Sequence, residues 1–340
     1  MPTIWGLDTG RVGEFMQVVA LATALDMDFE RICLSAEGNI LSTLPADPPR
    51  LIISFGRAAA MALALASRFS PRPLLVHLGT PGHTPITAFD LIIPMPQDDY
   101  PRAENTYTLR LPLNGATLTP PLKADHAGKI CTVIIGGESR YFQIPAASVR
   151  QIIAFSATLA KANDEPLLIL TSPRTPTDAI SELQQLQKSY NFSLALFGDQ
   201  PLQTHLGAGS RFVVTKDSAS LIADTYRTGK PVWVFELPGK FDRSEVLQNL
   251  LDACLGSGVR HWCIRRGWLG GGVNFKRWHR QLAALGYVRM AGSTTAATLT
   301  PSDLRWAPEK SLPDTDLEQC RILILEALQR HMAEPNTGRR

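Results

Sequence analysis

The sequence predicts an α/β protein made of two doubly wound, Rossmann-like domains facing a cleft. Three observations carry that expectation. The chain is 340 residues long, and a domain takes about 100–200 residues. Short apolar runs alternate with longer helical patterns, the signature of βα units around a parallel sheet. The rhythm stops at Leu111–Gly128, which carries Pro112, Pro120, Pro121 and two glycines, and then restarts. The expected division is a first domain over residues 1–115, a linker over 116–128 and a second domain over 129–312. A C-terminal helix over 313–334 would be free to pack back on the first domain.

Strands of the first domain are expected at Thr3–Leu7, Arg31–Leu34, Leu51–Ser54, Leu74–Leu78 and Leu91–Ile93. They are short apolar runs of the kind that parallel sheets bury on both faces. Helical periodicity fills Glu14–Leu25 and Arg57–Phe69. In the second domain strands are expected at Ile130–Ile135, Leu167–Leu170, Phe192–Phe197, Phe212–Val214 and Val232–Phe235. Helices at Ala146–Lys161, Thr177–Tyr190, Asp217–Thr228 and Arg243–Cys254 separate or follow them. Gly256–Leu304 has no clear period; it holds Trp262, Trp268, Trp278 and the run Gly270–Gly272. A last helix spans Asp316–His331, and the tail Pro335–Arg340 is expected to be disordered.

Composition narrows the function classes. Hydrophobic residues make up 44 % and charged ones 19 %, which excludes a disordered chain. Five scattered cysteines without a Cys-x-x-Cys pair read as reduced thiols, with no disulfide framework and no zinc site. No run reaches the ~18–20 apolar residues of a membrane span, and the N-terminus lacks a signal-peptide core. A cytoplasmic protein is expected, with peripheral attachment at the inner face of a membrane left open. The net charge of +3 gives no argument for nucleic acid. Charge is uneven, however: Arg260, Arg265, Arg266, Lys276, Arg277 and Arg280 occur without an acidic residue between them. Basic residues mixed with tryptophan over Trp262–Arg280 suit a lipid surface, and equally a packed core with a solvated basic rim.

Ligands of open sheets bind beyond the carboxyl ends of strands, so residues there are the candidates. Gly136 and Gly137 end a strand and leave backbone N–H groups open to a diphosphate. Ser172, Arg174 and Thr175 lie between a strand and a helix, with Thr175 as N-cap and Pro176 at the first helical position. A cation near a positive helix end favours a bound anion. Thr215, Asp217, Ser218 and Ser220 open another helix. Asp217 and Asp224 lie two turns apart on one face, where carboxylates can accept hydrogen bonds from sugar hydroxyls; an N-cap at Asp217 and a solvated Asp224 is the plainer account. On the first domain Gly10, Arg11, Gly13 and Gln17 follow the first strand, and Gly56 and Arg57 follow the third. Asp8 and Glu14 bracket the glycine loop. Glu14 is the candidate general base, with a helix-dipole role as its alternative. No His-Glu-x-x-His, Walker or Gly-x-Ser-x-Gly motif is present, which excludes those metalloproteases, P-loop ATPases and serine hydrolases.

In their order along the chain these motifs resemble the mitochondrial-fission Elm-like family, which is similar to GT-B glycosyltransferases. The resemblance rests on Gly10-Arg11-x-Gly13-x-x-x-Gln17, Ser54-x-Gly56-Arg57, Phe89–Pro94 and Ile135-Gly136-Gly137. It continues through Thr171-Ser172-x-Arg174-Thr175-Pro176, Val214-Thr215-x-Asp217-Ser218-x-Ser220, Thr228-Gly229-Lys230-Pro231-Val232, Trp306 and Leu312–Thr315. The chain departs from the family at Glu14, at Asp224 and at Pro96-Gln97-Asp98. The resemblance implies a GT-B fold, with a nucleotide-sugar held by the second domain and a glycan or lipid-linked acceptor faced by the first. It implies metal-independent transfer with no resident cofactor. A non-catalytic GT-B-like scaffold that engages a membrane or protein partner is the alternative.

Overall fold

The computed structural model describes residues 3–35, 37–41, 43–113, 129–240, 246, 250, 253–254, 256–292, 300–308 and 315–333. The expected linker over 116–128, most of the expected helix Arg243–Cys254 and the tail Pro335–Arg340 lie outside them. The chain divides into two compact units. One draws on Met1–Ala116, Arg243–Phe275 and Asp314–Arg340, the other on Thr117–Asp242 and Lys276–Pro313.

The first unit starts with β1 (Thr3–Asp8), α1 (Val12–Leu25), β2 (Asp28–Cys33), β3 (Leu51–Phe55), α2 (Ala59–Ala66), β4 (Leu74–Leu78), β5 (Leu91–Ile93) and β6 (Asp98–Asp99). Strands β1–β5 form a parallel sheet in the order β2-β1-β3-β4-β5. Alternate residues of β1, β3, β4 and β5 feed two cores, which is why those runs are almost wholly apolar, while the edge strand β2 exposes Asp28, Glu30 and Arg31. Ile4, Leu51, Ile53, Val76 and Ile93 pack on one face with Val18 and Leu21 of α1. Trp5, Leu7, Ile52, Leu75 and Ile92 pack on the other with Ala59, Ala62 and Leu65 of α2. The Asp316–Ala333 helix completes the first face through Cys320, Ile324 and Leu328. Its fully buried Asp316 accepts hydrogen bonds from the Tyr107 hydroxyl (2.9 Å) and the Arg110 backbone N–H (2.6 Å).

The second unit holds β7 (Ile130–Ile135), α3 (Ala146–Ala162), β8 (Leu167–Thr171), α4 (Thr177–Leu186), β9 (Ser193–Ala195), α5 (Leu202–Ala208), β10 (Gly209–Thr215), α6 (Ala219–Arg227) and β11 (Val232–Phe235). With β13 (Arg289–Ala291) they make a parallel sheet ordered β13-β11-β10-β7-β8-β9.

The unit boundaries differ from the expected division after residue 242. The Ser257–Arg265 helix buries Ile264 in the second core of the first unit. Strand β12 (Gly272–Val273) pairs antiparallel with β6. This part of Gly256–Leu304 therefore belongs with the first sheet, whereas the Phe275–Ala284 helix and β13 fall almost wholly in the second unit. Among the described residues no helix is long and apolar enough to cross a membrane.

Candidate functional site

Each sheet has one point where strand order reverses, and ligands of open α/β sheets bind there, beyond the carboxyl ends. In the second unit that point lies between β7 and β10. The loops after β7, β8 and β10 are stitched together there, so that Gly136, Gly137, Ser172, Arg174, Thr175, Thr215 and Asp217 meet.

The Gly136 N–H donates to Thr215 Oγ1 (2.8 Å) and the Gly137 N–H to Asp217 Oδ2 (2.9 Å). Thr175 Oγ1 lies 3.0 Å from the Ile135 carbonyl and 2.7 Å from that of Gly136, and accepts from the Ser172 N–H (2.8 Å). The Glu138 N–H donates to the Arg174 carbonyl (3.3 Å). Glycine is required at both positions by close approach. A Cβ on Gly136 would lie 2.3 Å from an Asp217 carboxylate oxygen, and one on Gly137 would lie 2.2 Å from Arg174 Cβ.

Three expectations change with this geometry. The two glycine N–H groups are already spent on Thr215 and Asp217, so they brace the loops instead of standing open to a diphosphate. Thr175 is not an N-cap: Pro176 occupies that place and Thr177 starts α4, because the Thr175 hydroxyl is taken by the end of β7. Asp217 does not share a helix face with Asp224. Ser218 caps α6, accepting from the Leu221 N–H at 3.4 Å, which leaves Asp217 ahead of the helix. Asp224 pairs instead with Arg227 at 3.8 Å.

What faces outward is cationic and hydroxylic. The Arg174 side chain is half-exposed, with one guanidinium nitrogen 3.8 Å from Asp217. Ser220 is exposed in the first turn of α6 and Ser172 is half-buried. Lys216, which is not among the residues expected from the sequence, directly follows β10. Its ammonium lies 5.1 Å from the centre of the Phe142 ring. Burial lowers its pKa, Glu236 opposes that shift and Lys276 adds to it. Its place directly after a strand was the available signal. The neighbouring His279 is buried and held neutral, with its pKa pushed down to about 3 by burial and then by the Lys216 charge.

Asp217 carries the main electrostatic tension. Its carboxylate is fully buried, and Oδ1 finds no hydrogen-bond partner among the described residues. Burial raises its pKa, while the Thr215 hydroxyl, the Gly137 N–H and Arg174 pull the other way. A carboxyl raised above its unfolded value of about 4 stabilises the fold below that value. The contribution is lost as pH rises through the folded value. Asp217→Asn cannot ionise, so its melting temperature should fall less than that of the wild type between about pH 4 and 7. Parallel melting curves across that range would show that Asp217 does not titrate there.

In the first unit order reverses between β1 and β3. Asp8 ends β1 and is anchored, accepting from the Gly10 N–H (2.7 Å) and from the Arg31 guanidinium. Arg57 Nη2 donates to the Thr9 carbonyl (2.7 Å), tying the β3 loop to the β1 loop. Gln17 spans the Gly13 carbonyl (3.4 Å) and the Leu113 N–H (3.1 Å). These two residues hold loops in place. Glu14 is different. Arg11 reaches its Oε1 at 2.8 Å, while its Oε2 is buried without a partner among the described residues. A Cβ on Gly56 would lie 3.8 Å from that oxygen, and the φ of Gly56, +51°, suits glycine.

The profile of the mitochondrial fission ELM1 family matches residues 13–260. The chain belongs to the mitochondrial fission ELM1 family. The ELM1 match takes in Gly13, Glu14, Gln17, Gly56 and Arg57 and every candidate from Gly136 to Asp224, and leaves Gly10 and Arg11 outside. No curated protein matches the sequence. UDP-GlcNAc 2-epimerase of Methanocaldococcus jannaschii, solved with UDP-GlcNAc and UDP, is similar in fold at 9 % identity. Its TM-score is 0.51, covering 97 % of this chain and 100 % of the other. MurG of Acinetobacter baumannii aligns over 99 % of this chain and 96 % of its own at 12 % identity and TM-score 0.48. The doubly wound topology of both units and the epimerase likeness make the fold of this ELM1-family chain GT-B-like.

Proposed function

We propose that this chain is a GT-B-type glycosyltransferase. It takes a nucleotide-sugar in the second unit and transfers the sugar to an envelope glycan or lipid-linked acceptor engaged by the first, in the cytoplasm or at the inner face of a membrane. The observation that carries the reading is the convergence at the β7/β10 reversal: three loops braced by one hydrogen-bonded network, with Arg174, Ser218 and Ser220 beside the N-terminus of α6. Transfer releases a nucleoside diphosphate, and negative charge grows on it as the glycosidic bond breaks. A helix N-terminus and a guanidinium stabilise such charge without a metal ion or a resident cofactor. In this reading Arg174, Ser172, Ser218 and Ser220 contact the donor and Asp224 accepts from its sugar hydroxyls. Gly136, Gly137, Thr175, Thr215 and Asp217 shape the site. Glu14 takes the acceptor proton, with Gly10, Arg11, Gly13, Gln17, Gly56 and Arg57 forming the loops around it.

One observation favours a second reading, a non-catalytic GT-B-like scaffold. The glycine N–H groups that would meet a diphosphate are occupied by the protein's own Thr215 and Asp217. A thermal-shift panel of nucleoside diphosphates separates the two. A donor site predicts that one of them raises the melting temperature by mass action, and that Arg174→Ala weakens it by about 1.5–3 kcal/mol, the range of a hydrogen bond to a charged group. The variant should still fold, because Arg174 is half-exposed and 3.8 Å from Asp217 and the Asp217 carboxyl keeps the Gly137 N–H; a melting curve of the variant separates lost affinity from lost stability. Silence across the whole panel would favour the scaffold.

A further inference from the structure

The Ser257–Arg265 helix is turned the opposite way from an ordinary amphipathic helix. It buries Arg260 and Ile264 and shows Val259 and Trp262 to solvent. Trp262 is 46 % exposed and Trp268, just beyond the helix, 60 %. Their rings meet edge to face at 4.9 Å, and the Arg266 guanidinium lies 4.6 Å from one ring centre and 5.8 Å from the other. Arg265 and Arg102 are exposed beside them, joined by a bond from the Arg265 guanidinium to the Arg102 carbonyl.

The display is held firmly. Arg260 is ion-paired with Asp99, and Ile264 sits in the core. Gly267, with φ +73°, runs so close to the 83–85 loop that a Cβ would lie 2.7 Å from the His83 carbonyl. Gly271 packs as tightly on Thr80 and Tyr100. Thr80 follows β4 and Tyr100 lies past β5, so this loop is fastened beyond the carboxyl end of the first sheet. That edge also carries Gly10–Gln17 and Gly56–Arg57.

We propose that Trp262, Trp268, Arg265 and Arg266 dock this chain on an anionic lipid surface. Indole rings settle at the headgroup level, where one side is apolar and the other wet. Arginines beside them favour anionic headgroups. A nucleic-acid platform fits less well, because stacking needs open ring faces, and here Arg266 lies over a face of Trp262 while the two rings stand perpendicular. Docking through these residues does not depend on the donor site. Its link to a lipid-linked acceptor rests on the proposed transferase reading and deepens it.

The test is co-sedimentation of the full chain with phosphatidylcholine vesicles, with and without phosphatidylglycerol, read together with tryptophan emission. Trp5, Trp233 and Trp278 are fully buried and the half-buried Trp306 packs on Trp233 and Arg289, so an emission shift reports mainly on the exposed rings of Trp262 and Trp268. The chain should pellet with the anionic vesicles, less so at high salt, with its emission moved to the blue. Arg265→Gln with Arg266→Gln should weaken binding by about 25-fold, since each cation near an anionic surface contributes about fivefold. Trp262→Ser with Trp268→Ser should abolish the blue shift, while melting temperature shows that both variants fold. No binding to either vesicle, binding unchanged in both variants, or a patch covered by self-association in solution would overturn the proposal. Docking by a chain that ignores every nucleoside diphosphate would sustain this inference and overturn the transferase reading alone.

Discussion

Glu14→Gln is expected to lower turnover by about 10²–10⁴-fold, the contribution of a positioned general base, and to leave donor affinity nearly unchanged. The expectation rests on an asymmetry at the reversal of the first sheet. Asp8, the other carboxylate of that loop, is committed to Arg31 and the Gly10 N–H. Glu14 gives one oxygen to Arg11 and keeps the other without a partner among the described residues. In the proposed transfer the acceptor hydroxyl donates to that second oxygen and passes its proton there, which requires the Gly56 loop to give way, because the oxygen is buried in the free chain. Gln keeps the shape and the acceptor oxygen but cannot take the proton. Steady-state kinetics with the donor that binds, alongside titration of that donor, separates the two quantities. Equal turnover in variant and wild type would assign Glu14 to the start of α1 and the loop around Gly56.

Asp99→Ala should destabilise the first unit strongly, by up to about 3–5 kcal/mol. It removes one carboxylate partner of Arg260, whose side chain is only 4 % exposed, and a buried cation that loses a carboxylate has less to offset its cost of dehydration. Adding Arg260→Met should recover most of the loss, because an apolar replacement for a buried pair is close to neutral. Urea unfolding of the two variants checks both statements. A single-variant loss within the ~1 kcal/mol of an exposed pair would show that Arg260 finds water or another partner.

The central strands were legible in the sequence because they are buried on both faces, unlike the edge strands β2 and β9. Runs such as Leu51–Ser54 and Ile130–Ile135 have no polar alternation to confuse them with edge strands. Residues 257–291 resisted for a physical reason. Arg260 is inside and Trp262 outside, so the side-chain pattern contradicts the usual link between polarity and exposure. Strand β13 offers only Arg289, Met290 and Ala291. At the candidate site the places were legible and the bonds were not. Small and hydroxylic residues after β7, β8 and β10 marked the loops. Which group satisfies which depends on partners far apart in sequence, such as Gly136 with Thr215 and Gly137 with Asp217. Local spacing therefore suggested an open cradle at the two glycines and an N-cap at Thr175, where the fold has a closed brace. Glu14 was legible as a carboxylate at a helix start; its unpartnered oxygen beside Gly56 emerges only once β1 and β3 lie side by side.

The account stands most directly on where a nucleotide binds. A crystal structure of the chain with the nucleoside diphosphate that stabilises it most should show the diphosphate at the N-terminus of α6. Its oxygens should lie within hydrogen-bond reach of Arg174 and of Ser218 or Ser220. A diphosphate bound away from the β7/β10 reversal, with Arg174 untouched, would contradict it.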